Sequence, residues 1–132
     1  MTASRKAALA VAALLAASGC VSTTAAERAA EGEAKLARML EGRVAGQPQS
    51  CISAWQNRNL EVIDETAIVY DAGNTIYVAR PAQPQSLDSS DILVIERTGS
   101  QLCKHDIVRT VSQSGFMTGV VFLGDFVPYV ER

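Results

Sequence analysis

A short apolar run at the start of the chain limits what the rest can become, because it sets where folding happens and which residues take part. Arg5 and Lys6 precede an uncharged stretch from Ala7 to Ala17, and Ser18-Gly19-Cys20 follows. A positive flank, an apolar middle and a small-residue end are the pattern of an export signal that is cut away. At 1.5 Å per residue the run is too short for a hydrocarbon core of ~30 Å, so a permanent spanning helix is the poorer reading. Folding is therefore expected outside the cytoplasm, without residues 1–19.

Ala17-Ser18-Gly19-Cys20 resembles the lipobox of bacterial lipoproteins, in which the Cys thiol takes a diacylglyceryl group before cleavage in front of it. The resemblance implies a membrane anchor on Cys20. Ala17 stands where the pattern usually has Leu, with Leu14 and Leu15 upstream. Ordinary secretion, with cleavage near 17–19 or 23–25, is the alternative and would leave a soluble periplasmic protein. Two acyl chains hold firmly, at ~0.8 kcal/mol for each buried CH₂. Val21 follows the Cys in place of Asp, which in the lipoprotein sorting pattern implies the outer membrane, on its periplasmic side.

Beyond Gly19 about 113 residues remain, enough for one domain and not two. They carry 10 basic and 14 acidic residues, scattered and with few aromatics. A nucleic-acid surface needs a basic stripe to displace counterions, so nucleic acid is not an expected partner. Of three cysteines, Cys20, Cys51 and Cys103, lipidation would consume the first. In an oxidising compartment that leaves Cys51–Cys103 as the available disulfide. Two buried thiols are the alternative; a redox pair would want Cys-x-x-Cys spacing.

Thr24-Ala25-Ala26-Glu27 has the form of a capping box, and Glu31 and Lys35 stand four apart in the favourable order. Leu36, Met39 and Leu40 make a short apolar stripe, and Gly42 suits a helix end. A helix over 25–41 is expected, its Ala-rich first half a stalk and its last two turns docking on the domain. Gly46 to Ser50 reads as a linker. The organisation is thus 1–19 signal peptide, 20–49 lipidated N-terminus, helix and linker, and 50–132 a β-rich domain.

From Cys51 the pattern is short β-branched runs divided by turn residues. The runs are 60–64, 66–70, 75–79, 91–97, 102–103, 106–111 and 116–123, with 124–129 closing the domain. Asp71-Ala72-Gly73-Asn74 between the second and third makes the clearest hairpin. Residues 80–90, with Pro81 and Pro84, form a loop long enough to be a binding edge. The expected fold is mainly β, an antiparallel meander rolled into a small barrel or sandwich.

Cys51-Ile52, Arg58, Val62-Ile63-Asp64, Tyr77-Val78, Leu102-Cys103, Asp106-Ile107 and Leu123 to Pro128 together resemble a family of small exported proteobacterial proteins of unknown function. The resemblance covers roughly residues 50–130. It implies the domain bounds and the Cys51–Cys103 pair, and no catalytic residues. Two further cysteines often found in that family are absent, since Arg80-Pro81 and Val121 occupy those neighbourhoods.

His105, the sole histidine, lacks the partners a zinc site needs and reads as a surface turn residue, so neither metal nor cofactor is expected. Asp64-Glu65 and Asp88/Asp91 are candidate paired carboxylates, but acids at strand ends usually serve turns. Asp64 and Asp106 suit hydrogen bonds from backbone N–H groups. Ser89-Ser90 and Ser112/Ser114 lack a nucleophile elbow, and Gly115, Gly119 and Gly124 do not form a phosphate loop. Trp55, Arg58, Tyr70 and Tyr77 are the candidate binding surface, aromatics with an Arg on one face; the same residues equally suit the lid of a small core. The expectation is a non-catalytic envelope lipoprotein, held to the membrane through Cys20 and touching an envelope protein partner. A small-molecule or metal-binding module between the 80–90 loop and the Trp55/Tyr77 face is an alternative. A minimal hydrolase around Asp64, Asp106 and His105 is another.

Overall fold

The computed structural model describes residues 24–55, 59–97 and 99–132. The signal run, Cys20 and Arg58 lie outside them. One helix, α1 (Ala25–Met39), is followed by ten strands: β1 (Arg43–Ala45), β2 (Cys51–Ser53), β3 (Leu60–Ile63), β4 (Ala67–Asp71), β5 (Thr75–Ala79), β6 (Ile92–Glu96), β7 (Gln101–Cys103), β8 (Ile107–Val111), β9 (Met117–Val121) and β10 (Phe126–Glu131). The protein is mainly β with antiparallel sheets, and they do not close into a barrel.

The capping box forms as read. The Glu27 N–H donates to Thr24 Oγ1 at 3.2 Å, and the Thr24 N–H donates back to Glu27 Oε2 at 2.7 Å. The β4–β5 hairpin also forms, with Gly73 at φ +89° and its N–H held by Asp71 Oδ1 at 2.8 Å. Only a residue free of a Cβ enters that region cheaply.

A single up-and-down meander does not describe the order. The main sheet runs β1-β10-β5-β4-β3, a pair β2-β7 stands apart, and β6-β8-β9 form a third sheet. In the main sheet only β3, β4 and β5 follow one another in sequence and space, and in the third sheet only β8 and β9; β10 enters between β1 and β5. β1 forms just before the stretch expected as a linker, and within that stretch Gln49 bridges to Phe126.

The barrel fails for a physical reason. A barrel has one interior, whereas the main sheet buries both faces. Alternation along β4 and β5 sends Ile68, Tyr70 and Ala79 one way, into a core shared with Ile52, Leu87, Leu102, Val108, Val121 and Phe126. It sends Ala67, Val69, Ile76 and Val78 the other way, beneath Leu36 of α1. A strand with two buried faces reads as a continuous apolar run, and needs a layer on each side.

The last turns of the helix dock as expected, through Leu36, Met39 and Leu40, but its first half is not a stalk. Gly32 and Leu36 are buried, and ion pairs run from Arg28 to Glu65, Glu33 to Arg80 and Lys35 to Glu61, each at 2.5 Å. Contact thus begins in the second turn, since these cations and anions face each other across the helix–sheet seam. Among the described residues no helix is long and apolar enough to cross a membrane.

Cys51 and Cys103 form a disulfide as directly opposed residues of β2 and β7, with Cα atoms 4.0 Å apart. Lys104 N–H donates to the Ser50 carbonyl and Ala54 N–H to the Ser100 carbonyl. Those bonds fall at alternate pairs, which makes 51–103 a pair without ladder bonds, where antiparallel side chains come closest.

Candidate functional site

Of the candidate surface, Trp55, Tyr70 and Tyr77 fall among the described residues. Tyr70 and Tyr77 meet as a cross-strand pair, ring centroids 6.5 Å apart and tilted by 38°. Tyr70 is buried in the core, and Tyr77 packs against it half-buried, so core packing is what this pair does. Trp55 is 76% exposed and stands by the β6–β7 turn, where the Ala54 carbonyl accepts from Arg97 and the Ala54 N–H donates to Ser100.

The 80–90 loop is tied down. Its strand-like start bonds to residues 122–124 (Ala82 N–H to Phe122 O, Gly124 N–H to Arg80 O), Pro84–Ser86 makes a 3-10 turn, and Leu87 is buried. Asp64 secures the far end, accepting the Ser89 N–H at 2.5 Å and its hydroxyl at 3.0 Å. Asp106 likewise accepts the Cys103 N–H at 2.7 Å. Both carboxylates thus do the turn work expected of them. They belong to separate turns, and His105 is exposed beside Asp106.

Around Asp64 lies a cleft lined by Arg28, Glu65, Asp88, Ser89, Asp91 and Thr118. Glu65 sits at φ 51°, a conformation costly for a side-chain-bearing residue. Its N–H donates to the Leu87 carbonyl at 3.1 Å, and its nearly buried carboxylate holds Arg28. Asp88 accepts from Ser90, which lowers its pKa, and Asp91 accepts from Thr118 at 2.6 Å. The cleft's carboxylates are therefore engaged as ties between α1, the β3–β4 turn and β9. Among the described residues no group of three or more His, Cys, Asp or Glu is disposed to hold a metal ion.

Three carboxylates have pKa values held below the ordinary range: Glu33 by the Arg80 hydrogen bond, Asp88 by Ser90, and Asp125 by Lys104. A carboxylate with a folded pKa under its unfolded value adds stability above the unfolded value, and loses it as pH falls through the folded one. Stability is expected to be flat at neutral pH and to fall below about pH 4. Glu33→Gln should blunt that fall by about 0.5 kcal/mol, the pair being half exposed. Denaturant melts at several pH values, compared for the two chains, read the effect.

The feature that sequence reasoning missed is the outer face of the β6-β8-β9 sheet. The inner-facing residues Leu93, Ile95, Val108 and Val121 join the core. Facing away, Ile92 stands opposite Val111, Val94 opposite Arg109, and Arg109 opposite Val120. Ile92, Val94, Ile107, Met117, Val120 and Phe122 are all exposed, as is Phe116 in the turn. An ion pair, Arg109–Glu96, crosses this face. The signal was available: 116–123 is apolar at both odd and even positions. Such a strand needs cover on both sides, and here the described chain covers one. Contiguous exposed apolar surface marks an interaction site more often than an accident. Comparison of this chain with protein-family models, curated proteins and solved structures finds no match in any of the three.

Proposed function

We propose that the protein is a non-catalytic binding or structural module of the bacterial cell envelope, exported and held at the membrane by a lipid on Cys20. Its two sheet layers make an open sandwich with α1 on the outer side. The observation that carries the reading is the bare apolar outer face of the β6-β8-β9 sheet, a surface made for contact and carrying no reacting groups. The cross-strand Cys51–Cys103 disulfide supports export, since such bridges persist in oxidising compartments. The likeness to small exported proteobacterial proteins points the same way.

Metabolic labelling with a tagged palmitate tests the anchor. Wild type should be labelled and fractionate with membranes, while Cys20→Ala should lose the label and become soluble in the periplasm. Equal labelling of the two would refute the anchor.

A further inference from the structure

We propose that the β8–β9 hairpin tip, with Phe116 and Met117 at its apex, docks on the lipid bilayer to which the chain is tethered; this rests on the reading of Cys20 as the lipid-bearing residue. The tether is short. Thr24, where α1 is capped, stands four residues after Cys20, and four steps at ~3.5 Å per residue reach no more than about 14 Å. The end of the domain carrying the helix start is thus held against the membrane surface.

The hairpin occupies that same end. Arg28 in the second turn of α1 pairs with Glu65 at 2.5 Å, and the Glu65 N–H meets the Leu87 carbonyl. The segment after Leu87 holds the hairpin through Gln113 Nε2 to the Ser90 carbonyl at 2.7 Å and Thr118 Oγ1 to Asp91 at 2.6 Å. Arg28 and Thr118 line one cleft. Two independent features therefore converge, the exit of the tether and the exposed apex.

The apex has the chemistry of an interfacial wedge. No charged residue occurs from Thr110 to Gly124, so the hairpin itself carries no charge into the interface; the nearest carboxylate the structure sets against it, Asp91, is held by the Thr118 hydroxyl behind the apex. Phe116 is 74% and Met117 66% exposed. Behind them Ile92 and Val111 continue the apolar surface, while the Arg109–Glu96 pair lies further from the apex along the strands. Apolar side chains buried at the headgroup boundary add their transfer free energy to that of the acyl chains, and they fix which way the domain faces the bilayer.

Area favours lipid over a second copy of the chain. Three strands at ~4.8 Å spacing and ~3.4 Å per residue make a face of roughly 240 Å². A stable protein interface takes about 800 Å² from each partner.

The test uses the full chain, lipidated and reconstituted into vesicles of phosphatidylethanolamine and phosphatidylglycerol carrying brominated acyl chains. Trp55 is the sole tryptophan and lies at the opposite end of the β6-β8-β9 sheet, beside Arg97 and Ser100. In wild type it should escape quenching. In Phe116→Trp/Trp55→Phe the tryptophan at the apex should be quenched, and Met117→Ser added to that chain should relieve the quenching severalfold. An unquenched apex in palmitate-labelled protein overturns the docking and leaves the tether standing. Absence of label on Cys20 removes the tether and the docking together. A shielded but unquenched apex in protein sedimenting at twice the monomer mass gives the face to a second copy and also overturns the proposal.

Discussion

Cys51→Ser/Cys103→Ser is expected to lower stability by about 4 kcal/mol, the loop-closure entropy of a bridge of this span, and the melting temperature by roughly 15 °C or more for a domain of this size. The two sulfurs join residues 52 apart in sequence, so the unfolded chain without the bridge regains the freedom of a long loop containing β3 to β6. A second contribution comes from the folded side. The β2–β7 ladder is three residues long and forms a sheet of its own, and an isolated two-stranded pair is marginal in water. Yet Ile52 and Leu102, which it carries, are almost wholly buried in the main core. Releasing the staple frees the element that seats both. Thermal melts of the double variant beside wild type read the shift, with single variants avoided because they leave a reactive thiol. A change below about 1 kcal/mol would mean that burial of Ile52 and Leu102 holds β2 to β7 unaided.

What was legible in the sequence was local or countable. Thr24 and Glu27 announce their capping box because both partners lie within one turn. Gly73 announces the β4–β5 turn because its backbone demands it. The disulfide followed from a count of cysteines and the compartment implied by the leader. Asp64 and Asp106 read correctly as turn acceptors, each close in sequence to a strand end. What was not legible depends on distant partners. Tyr70 and Tyr77 look the same in sequence whether they face solvent or a second layer, and only the arrival of β2, β7 and β8 over that face decides it. The place of β10 between β1 and β5 is a pairing choice made across more than forty residues. The 116–123 run reads as a long apolar strand, and nothing in the run itself tells that its outer side is left bare. Gly32 is inconspicuous in an Ala-rich helix, although a glycine inside a helical pattern is itself a sign of close approach.

Gly32→Ala is expected to destabilise the fold by about 2–3 kcal/mol, as overpacking of a tight contact does. Two effects oppose each other at this position. Alanine improves helix propensity by ~1 kcal/mol over glycine, which on an open helix face would stabilise. Here a Cβ would stand 2.5 Å from the Asp64 carbonyl oxygen and collide with Thr66 Oγ1. Thr66 cannot turn aside freely: its side chain is buried, and its hydroxyl donates to that same Asp64 carbonyl at 2.8 Å. The carbonyl belongs to the β3–β4 turn that also holds Glu65 at positive φ and Asp64 against Ser89. Neither side of the contact can give by a few tenths of an ångström, so the steric effect wins and α1 must lift. Denaturant titrations should show the loss for Gly32→Ala and a change within about 0.5 kcal/mol for Glu31→Ala, one residue away on the exposed side. A stabilised Gly32→Ala chain would mean that α1 stands off the sheet. If Cys20 carries the lipid as proposed, the same variant bears on the hairpin apex too, because α1 spans about 22 Å at 15 residues and its docking sets how far the sheets stand from the anchor. On that proposal, lifting α1 lengthens the slack between Cys20 and the sheets, and quenching of a tryptophan placed at position 116 should decline with it.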